Sequence, residues 1–386
     1  MRVFPSPLIN DDFLRRYWQK KPLLMRRAVS LPADLVTKSK LLTLACGSQD
    51  VESRLILEHG ETPWEAHQGP FERTELEQLP ESHWTLLIQD MNRHMPEIRP
   101  LLEAFSAIPQ WRIDDIMISY AADRGSVGPH SDEYDVFLIQ ASGKRRWKIH
   151  QQPVGDDDLI PDLDLRILKT FDTQMEWLLE PGDILYLPPN VAHWGIAEGE
   201  CITWSVGFQG PSATELSTHW LEERLSSIAP QRYSDPDLKT RQHSGEISAE
   251  AIGRIRNMLR QTFAFSDDEL ATWFGRFSSE PKENLMPPPL ESSITETVLL
   301  QQLQQGMPLK RHPYSKIYFT RLPDSLLLFA GGESFPLSAD TLDLAILLSE
   351  QYEYSYQELQ SWLQNPQSLT LLTELVNRGD LNIKEV

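Results

Sequence analysis

Cysteine is nearly absent. Cys46 and Cys201 are the only two in 386 residues, too few for a disulfide framework and in keeping with a reducing compartment. Long apolar runs are missing as well: no stretch approaches the roughly 18 residues that a membrane-crossing helix needs. The opening MRVFPSPLINDDF has no continuous apolar segment, so a cytoplasmic setting away from membranes is expected. Positive charge is in short supply, with 36 Lys and Arg against 56 Asp and Glu and a formal net charge of −20. Such a surface repels nucleic-acid backbones and speeds encounter with a basic protein, most of all at low salt. Internal repeats and low-complexity segments are also lacking. What remains is a chain long enough for two or three domains, the largest with a well-buried core.

Two stretches then stand out. Gly128-Pro129-His130-Ser131-Asp132 precedes the apolar run Val136 to Gln140, and Pro181-Gly182-Asp183 leads into Ile184 to Leu187, Pro188-Pro189-Asn190 and His193. Alternate side chains share a face on an extended strand, so His130 and Asp132 are expected to project together from a strand that continues through Val136 to Gln140. Pro181-Gly182-Asp183 reads as a turn, with Ile184 to Leu187 and Cys201 to Phe208 as strands. Two histidines and one carboxylate held at strand ends form the ligand set of a facial triad. Such a triad binds non-haem Fe(II) by one face and leaves positions for oxygen and a co-substrate. Strand pairs separated by an insert suit a small β-barrel whose mouth collects the three ligands. His59, His67, His83, His94 and His150 have no partner at ligand spacing and are expected on the surface or in the core.

The segment Gly143 to Ile149 (GKRRWKI) adds a cation. Alternation puts Arg145 on the face of Trp147 and Ile149, and Lys144, Arg146 and Lys148 on the other. Trp and Ile belong inside, so Arg145 points inward, where a guanidinium needs an anion to offset its desolvation. An inward arginine near the metal-binding strand is placed to clamp a dicarboxylate co-substrate through two parallel hydrogen bonds.

The His130-x-Asp132, Arg145 and His193 pattern, with Thr203 following, resembles the JmjC-type 2-oxoglutarate oxygenases. The segments WRIDDIMISY, GPHSDEYDVFLIQ, KRRWKI, LEPGDILYLPPNVAHWG and WSVGF are similar to those of bacterial ribosomal oxygenases that hydroxylate an arginine of large-subunit ribosomal protein L-sixteen. The likeness begins near Phe13 to Arg26 (FLRRYWQKKPLLMR) and is weaker in wording over the last third. The resemblance implies that His130, Asp132 and His193 bind Fe(II), with 2-oxoglutarate and molecular oxygen as co-substrates. It implies that Arg145 takes the distal carboxylate of 2-oxoglutarate, with Ser119 and Thr203 as further polar contacts. An arginine pocket of Asp115, Met117, Tyr134 and Ser205 and hydroxylation at C-3 are implied likewise, as is a homodimer. Alternation agrees, placing Asp115 and Met117 with Ser119, Tyr134 with His130 and Asp132, and Ser205 with Thr203. An acid beside a thioether and an aromatic ring suits a guanidinium on an apolar stem, with Asp114 a rival to Asp115. Two other readings stay open. One is a histidyl or asparaginyl hydroxylase, or a demethylase, with the same triad and another pocket. The other is a non-enzymatic cupin-like binding module, which has no need of an inward anion clamp.

The expected fold class is α+β, a double-stranded β-helix (cupin or JmjC-type barrel) over residues 1–210. Helices follow over 211–286, with Ser212 as N-cap of Ala213 to Ser226, then Ala249 to Phe263 and Asp267 to Phe277. In the resembling family this region serves dimerisation. Pro287-Pro288-Pro289 marks a linker to a winged-helix-like part over 287–386, with a hairpin from Ile317 to Phe329 and helices at Ser293 to Gln305, Ala339 to Glu350, Ser355 to Gln364 and Leu369 to Arg378. From Pro281 onward 7 Lys and Arg face 13 Asp and Glu, which points away from DNA and towards a protein-contacting or structural role.

Overall fold

Strands are the main regular elements of the first half of the chain. The computed structural model describes residues 7–383 apart from 33, 48–49, 59–63, 151–153, 162, 164, 230, 241–242 and 283–284, so His59 lies outside the described residues. Contacts divide the chain into two units, Met1–Gly210 and Pro211–Val386.

In the first unit the strands are β1 (Leu23–Met25), β2 (Ser53–Leu57), β3 (Glu65–Gln68), β4 (Trp84–Ile88), β5 (Ile113–Ala121), β6 (Asp135–His150), β7 (Met175–Leu179), β8 (Ile184–Leu187) and β9 (Ala192–Phe208). They form one antiparallel sheet in the order β1-β8-β6-β9-β5-β4-β2-β3, with β7 on β6. Its spine is the β6–β9 pair, of 16 and 17 residues. The register of that pair slips between Gln140 and Lys144, where Gly143 has φ +63 and a Cβ would strike the Glu200 carbonyl at 2.1 Å. Only glycine fits, and the bulge bends both strands. Before the bend β6 pairs with β8, and after it with β7. This is the expected double-stranded β-helix.

Residues on the two faces of the bent pair meet different neighbours. Val136, Leu138, Trp147, Ile149, Leu179, Leu185 and Leu187 line one side. On the other, Phe137, Tyr186 and Phe208 pack with Phe13, Trp18 and Phe105 in an aromatic cluster. Each fully buried aromatic or aliphatic side chain there contributes roughly 1.5–3 kcal/mol. Phe13 comes from a helix, Asp11–Arg16, capped by Asn10. Beyond that helix Gln19 turns to φ +55 and donates its N–H to the Tyr186 hydroxyl at 2.7 Å. The helical stretch between Pro96 and Glu103 is split into Pro96–Ile98 and Pro100–Glu103, since Pro100 has no N–H to continue the ladder.

In the second unit, helices Ala213–Ser227, Ala249–Thr262 and Asp267–Ser279 are capped by Ser212, Ser248 and Ser266. Helices Glu296–Gln304, Leu342–Glu350 and Pro366–Asn377 enclose an apolar core with β10 (Leu309–Arg311), β11 (Ile317–Arg321), β12 (Leu326–Ala330), β13 (Glu333–Leu337), β14 (Glu353–Tyr354) and β15 (Leu381–Ile383). The expected hairpin gains a third strand, β13, through a Gly331-Gly332 turn with both residues at positive φ. The helix read from Ser355 to Gln364 shortens to Tyr356–Leu359. Asp267–Ser279 packs on β11, β12 and β13.

Candidate functional site

His193 is the second residue of β9, and His130 lies across from it as an isolated bridge. Each donates its backbone N–H to the other's carbonyl, at 3.0 and 2.8 Å. The strand expected to run from His130 through Gln140 is interrupted: β6 begins only at Asp135, and residues 131–134 bend away. Asp132 therefore reaches the histidines from a loop, held by the Asn190 N–H on its carbonyl at 2.7 Å.

The three side chains converge. The Nε2 atoms of His130 and His193 lie 3.9 and 3.6 Å from the Asp132 carboxylate, and all three donor atoms fall within 4.8 Å of one another. Each Nδ1 faces a backbone carbonyl, that of Gly128 for His130 at 2.9 Å and that of Val191 for His193 at 3.0 Å. A carbonyl there takes the Nδ1 proton, which leaves the Nε2 lone pair turned towards Asp132. Burial, reinforced by the neighbouring His130, pushes the His193 imidazole down to about 4, so it is neutral at physiological pH. Two imidazoles and a carboxylate on one side can hold a divalent transition ion by a single face. Among the described residues no other group of three such ligands exists. His67 sits by Glu65, His83 by Ser82, and His150 by the Asp172 carbonyl.

Arg145 points inward, as its alternation with Trp147 and Ile149 requires. It is 3% exposed. Its Nη1 donates to Ser119 Oγ at 3.2 Å and its Nη2 to the Gly195 carbonyl at 3.3 Å, while Nε has no partner. The guanidinium also stacks 5.1 Å from the Trp147 ring, which lies 5.7 Å from that of His193. Gly195 makes the approach feasible, because a Cβ would stand 2.6 Å from Trp147 and 2.8 Å from Arg145 Nε. Among the described residues no carboxylate lies within ion-pair distance of this cation, and burial lowers its pKa. A buried, unneutralised guanidinium fits an anionic ligand. Thr203 pairs across from both Ser119 and Gln140, and its hydroxyl donates to Gln140 Oε1 at 3.2 Å. Gln140, fully buried, joins the site although the sequence marks it only as the end of an apolar run; a polar residue closing Val-Phe-Leu-Ile is the signal.

The third group is less regular than alternation implied. Met117 pairs with Ser205 across β5 and β9, as Ser119 does with Thr203, but the register slips between Ile113 and Ile116. Asp115 and Ile116 are consequently both buried. The Asp115 carboxylate accepts the Asp90 N–H at 2.8 Å. Burial, followed by the neighbouring acids Asp132, Asp115 and Asp114, raises the Tyr134 phenol well above the ordinary range. Tyr134 thus stands between the ligand cluster and the acidic end of β5.

Known proteins show the same combination. The family profile described as JmjC domain matches residues 100–216, and that described as ROXA-like winged helix matches 258–382. The chain is 32% identical over 369 residues, 95% of its length and 96% of the relative's, to the ribosomal protein uL16 3-hydroxylase of Escherichia coli. An X-ray structure of E. coli YcfD superposes with a TM-score of 0.86 at 31% identity, covering 97% of this chain and 98% of that one. A structure of YcfD, a ribosomal oxygenase from E. coli, in complex with cobalt and 2-oxoglutarate gives 0.84 at 30% identity, covering 98% and 99%.

Proposed function

The chain belongs to the JmjC-domain ribosomal oxygenases, Fe(II)- and 2-oxoglutarate-dependent hydroxylases of ribosomal protein, and we propose that its target is an arginine of uL16, hydroxylated at C-3. Arg145 is the observation that carries this reading: among the described residues it is a buried guanidinium without an acid, beside the one cluster able to hold a metal. His130, Asp132 and His193 would be the ligands. Fe(II) bound there supplies oxygen activation, coupled to oxidative decarboxylation of 2-oxoglutarate to succinate and carbon dioxide, with one oxygen atom passing to a substrate C–H bond. The remaining work is orientation. Arg145, steadied by Ser119, would grip the far carboxylate, with Thr203 beside it. Asp115 would meet the target guanidinium, Met117 and Tyr134 its apolar stem, and Ser205 the adjoining wall. Tyr134, close enough to Asp132 to feel its charge, sets that wall next to the ligands.

A synthetic uL16 segment, supplied with Fe(II) and 2-oxoglutarate, should acquire one oxygen on its arginine, located by tandem mass spectrometry, with matching succinate. Oxygen on another residue type, or equal turnover of a lysine-for-arginine peptide, would overturn the arginine assignment.

The same reading takes the protein as a cytoplasmic homodimer that does not bind DNA directly. Self-association through 211–286 is supported by Ile252, Ile255 and Leu259, on one face of the Ala249–Thr262 helix and 46, 43 and 52% exposed. The 287–386 part is read as the winged helix, with Asp267–Ser279 joining it to the helices before. Among the described residues no helix is long and apolar enough to cross a membrane.

A further inference from the structure

We propose that Ser126, together with Trp194, is a positioning residue for both histidines of the metal centre. Ser126 is 1% exposed, and its hydroxyl oxygen accepts two hydrogen bonds. One comes from the Gly128 N–H at 3.1 Å and the other from the indole N–H of Trp194 at 2.9 Å. The first fixes the Gly128 residue whose carbonyl receives His130 Nδ1 at 2.9 Å. The second fixes the residue directly after His193. A single oxygen atom therefore ties together the two segments that carry the imidazoles, next to the backbone bridge between His130 and His193.

The arrangement matters because an imidazole's direction and basicity follow from the partner of its other nitrogen. For His130 that partner is the Gly128 carbonyl. Gly128 is at φ +81, and a Cβ there would strike Ile167 at 2.7 Å. The loop is thus packed from one side by Ile167 and fastened on the other by Ser126. Loss of the hydroxyl would leave the Gly128 N–H and the Trp194 indole without their acceptor and free the Gly128 peptide to turn.

This inference rests on the metal reading of His130, Asp132 and His193, and the test separates the two. Cobalt(II) is titrated into the full-length protein and followed by calorimetry and visible absorption, for the wild type and for Ser126→Ala, Ser126→Thr, Trp194→Phe and His193→Ala. Ser126→Ala should weaken binding roughly tenfold or more and shift the visible bands. Trp194→Phe should move both in the same direction. Ser126→Thr, which keeps the oxygen, should restore them, and a variant combining Ser126→Ala with Trp194→Phe should be no weaker than Ser126→Ala alone. Wild-type affinity and spectrum in Ser126→Ala and Trp194→Phe, with cobalt lost in His193→Ala, would overturn the proposal. Equal losses in Ser126→Ala and Ser126→Thr would overturn it too, since the hydroxyl would not be the cause. Undiminished cobalt binding by His193→Ala would instead overturn the metal reading beneath it.

Discussion

Burying a guanidinium without an acid is costly, and an arriving carboxylate relieves the cost. Arg145→Ala removes both the strain and the grip, so metal binding should hardly change while the 2-oxoglutarate requirement rises. Loss of a buried contact to a carboxylate costs about 2–5 kcal/mol, which is roughly 30-fold or more in apparent KM. An unchanged KM would place the clamp elsewhere. Asp115 lends itself to a finer substitution. Asp115→Asn keeps an acceptor for the Asp90 N–H but removes the charge. Arginine-peptide hydroxylation should drop about 10- to 100-fold, the range for a lost charged hydrogen bond, while 2-oxoglutarate is still consumed without product. Coupled turnover at the wild-type rate would rule Asp115 out and turn attention to Asp114.

At the level of elements, the turn before β8 is held by one carboxylate. Asp183, 2% exposed, accepts from Arg26 Nη1 at 2.6 Å and from the N–H groups of Arg27 and Glu180 at 2.9 and 3.0 Å. Burial alone would raise its pKa, but the three donors hold it below its ordinary value. The folded-state value thus lies under the unfolded one, and the stability Asp183 contributes is present above the unfolded pKa and lost as pH falls through the folded one. Asp183→Asn should cost roughly 2 kcal/mol at neutral pH and flatten the decline in stability below about pH 4, both readable from urea melts at two pH values. Elements of this kind were legible because their signals are local: Pro181-Gly182-Asp183 as a turn, Ile184 to Leu187 as a strand, Ser212 as a cap. Arg145 was legible through strict alternation on β6. Asp132 and Asp115 were placed near their true neighbours for an incomplete reason, since a loop and a slipped register do the placing and alternation does not reach across either. The two- and three-residue strands β10, β14 and β15 leave no period to detect, and Ser126 and Trp194 meet only through the fold.

Across the whole molecule the charge of −20 is a field felt before contact. A basic ribosomal peptide should be drawn in at low ionic strength, and its KM should rise several-fold between roughly 50 and 300 mM salt as the Debye length contracts. The 2-oxoglutarate KM should respond less, because its principal partner is a single buried cation. Identical salt responses would show that the acidic surface takes no part in choosing the substrate. The acid Asp115 and the clamp's neighbour Ser119 also fall on different portions of β5. From Ile116 to Ala121 its pairing with β9 is regular, and there Ser119 stands beside the clamp; ahead of Ile116 the register has already slipped, and there lie Asp114 and Asp115. A residue gained or lost in the slipped stretch changes the mouth without re-registering the ladder that serves the clamp. Over evolutionary time this separates two inheritances: descendants of such a chain are free to change what they modify while the oxygen chemistry passes down unaltered.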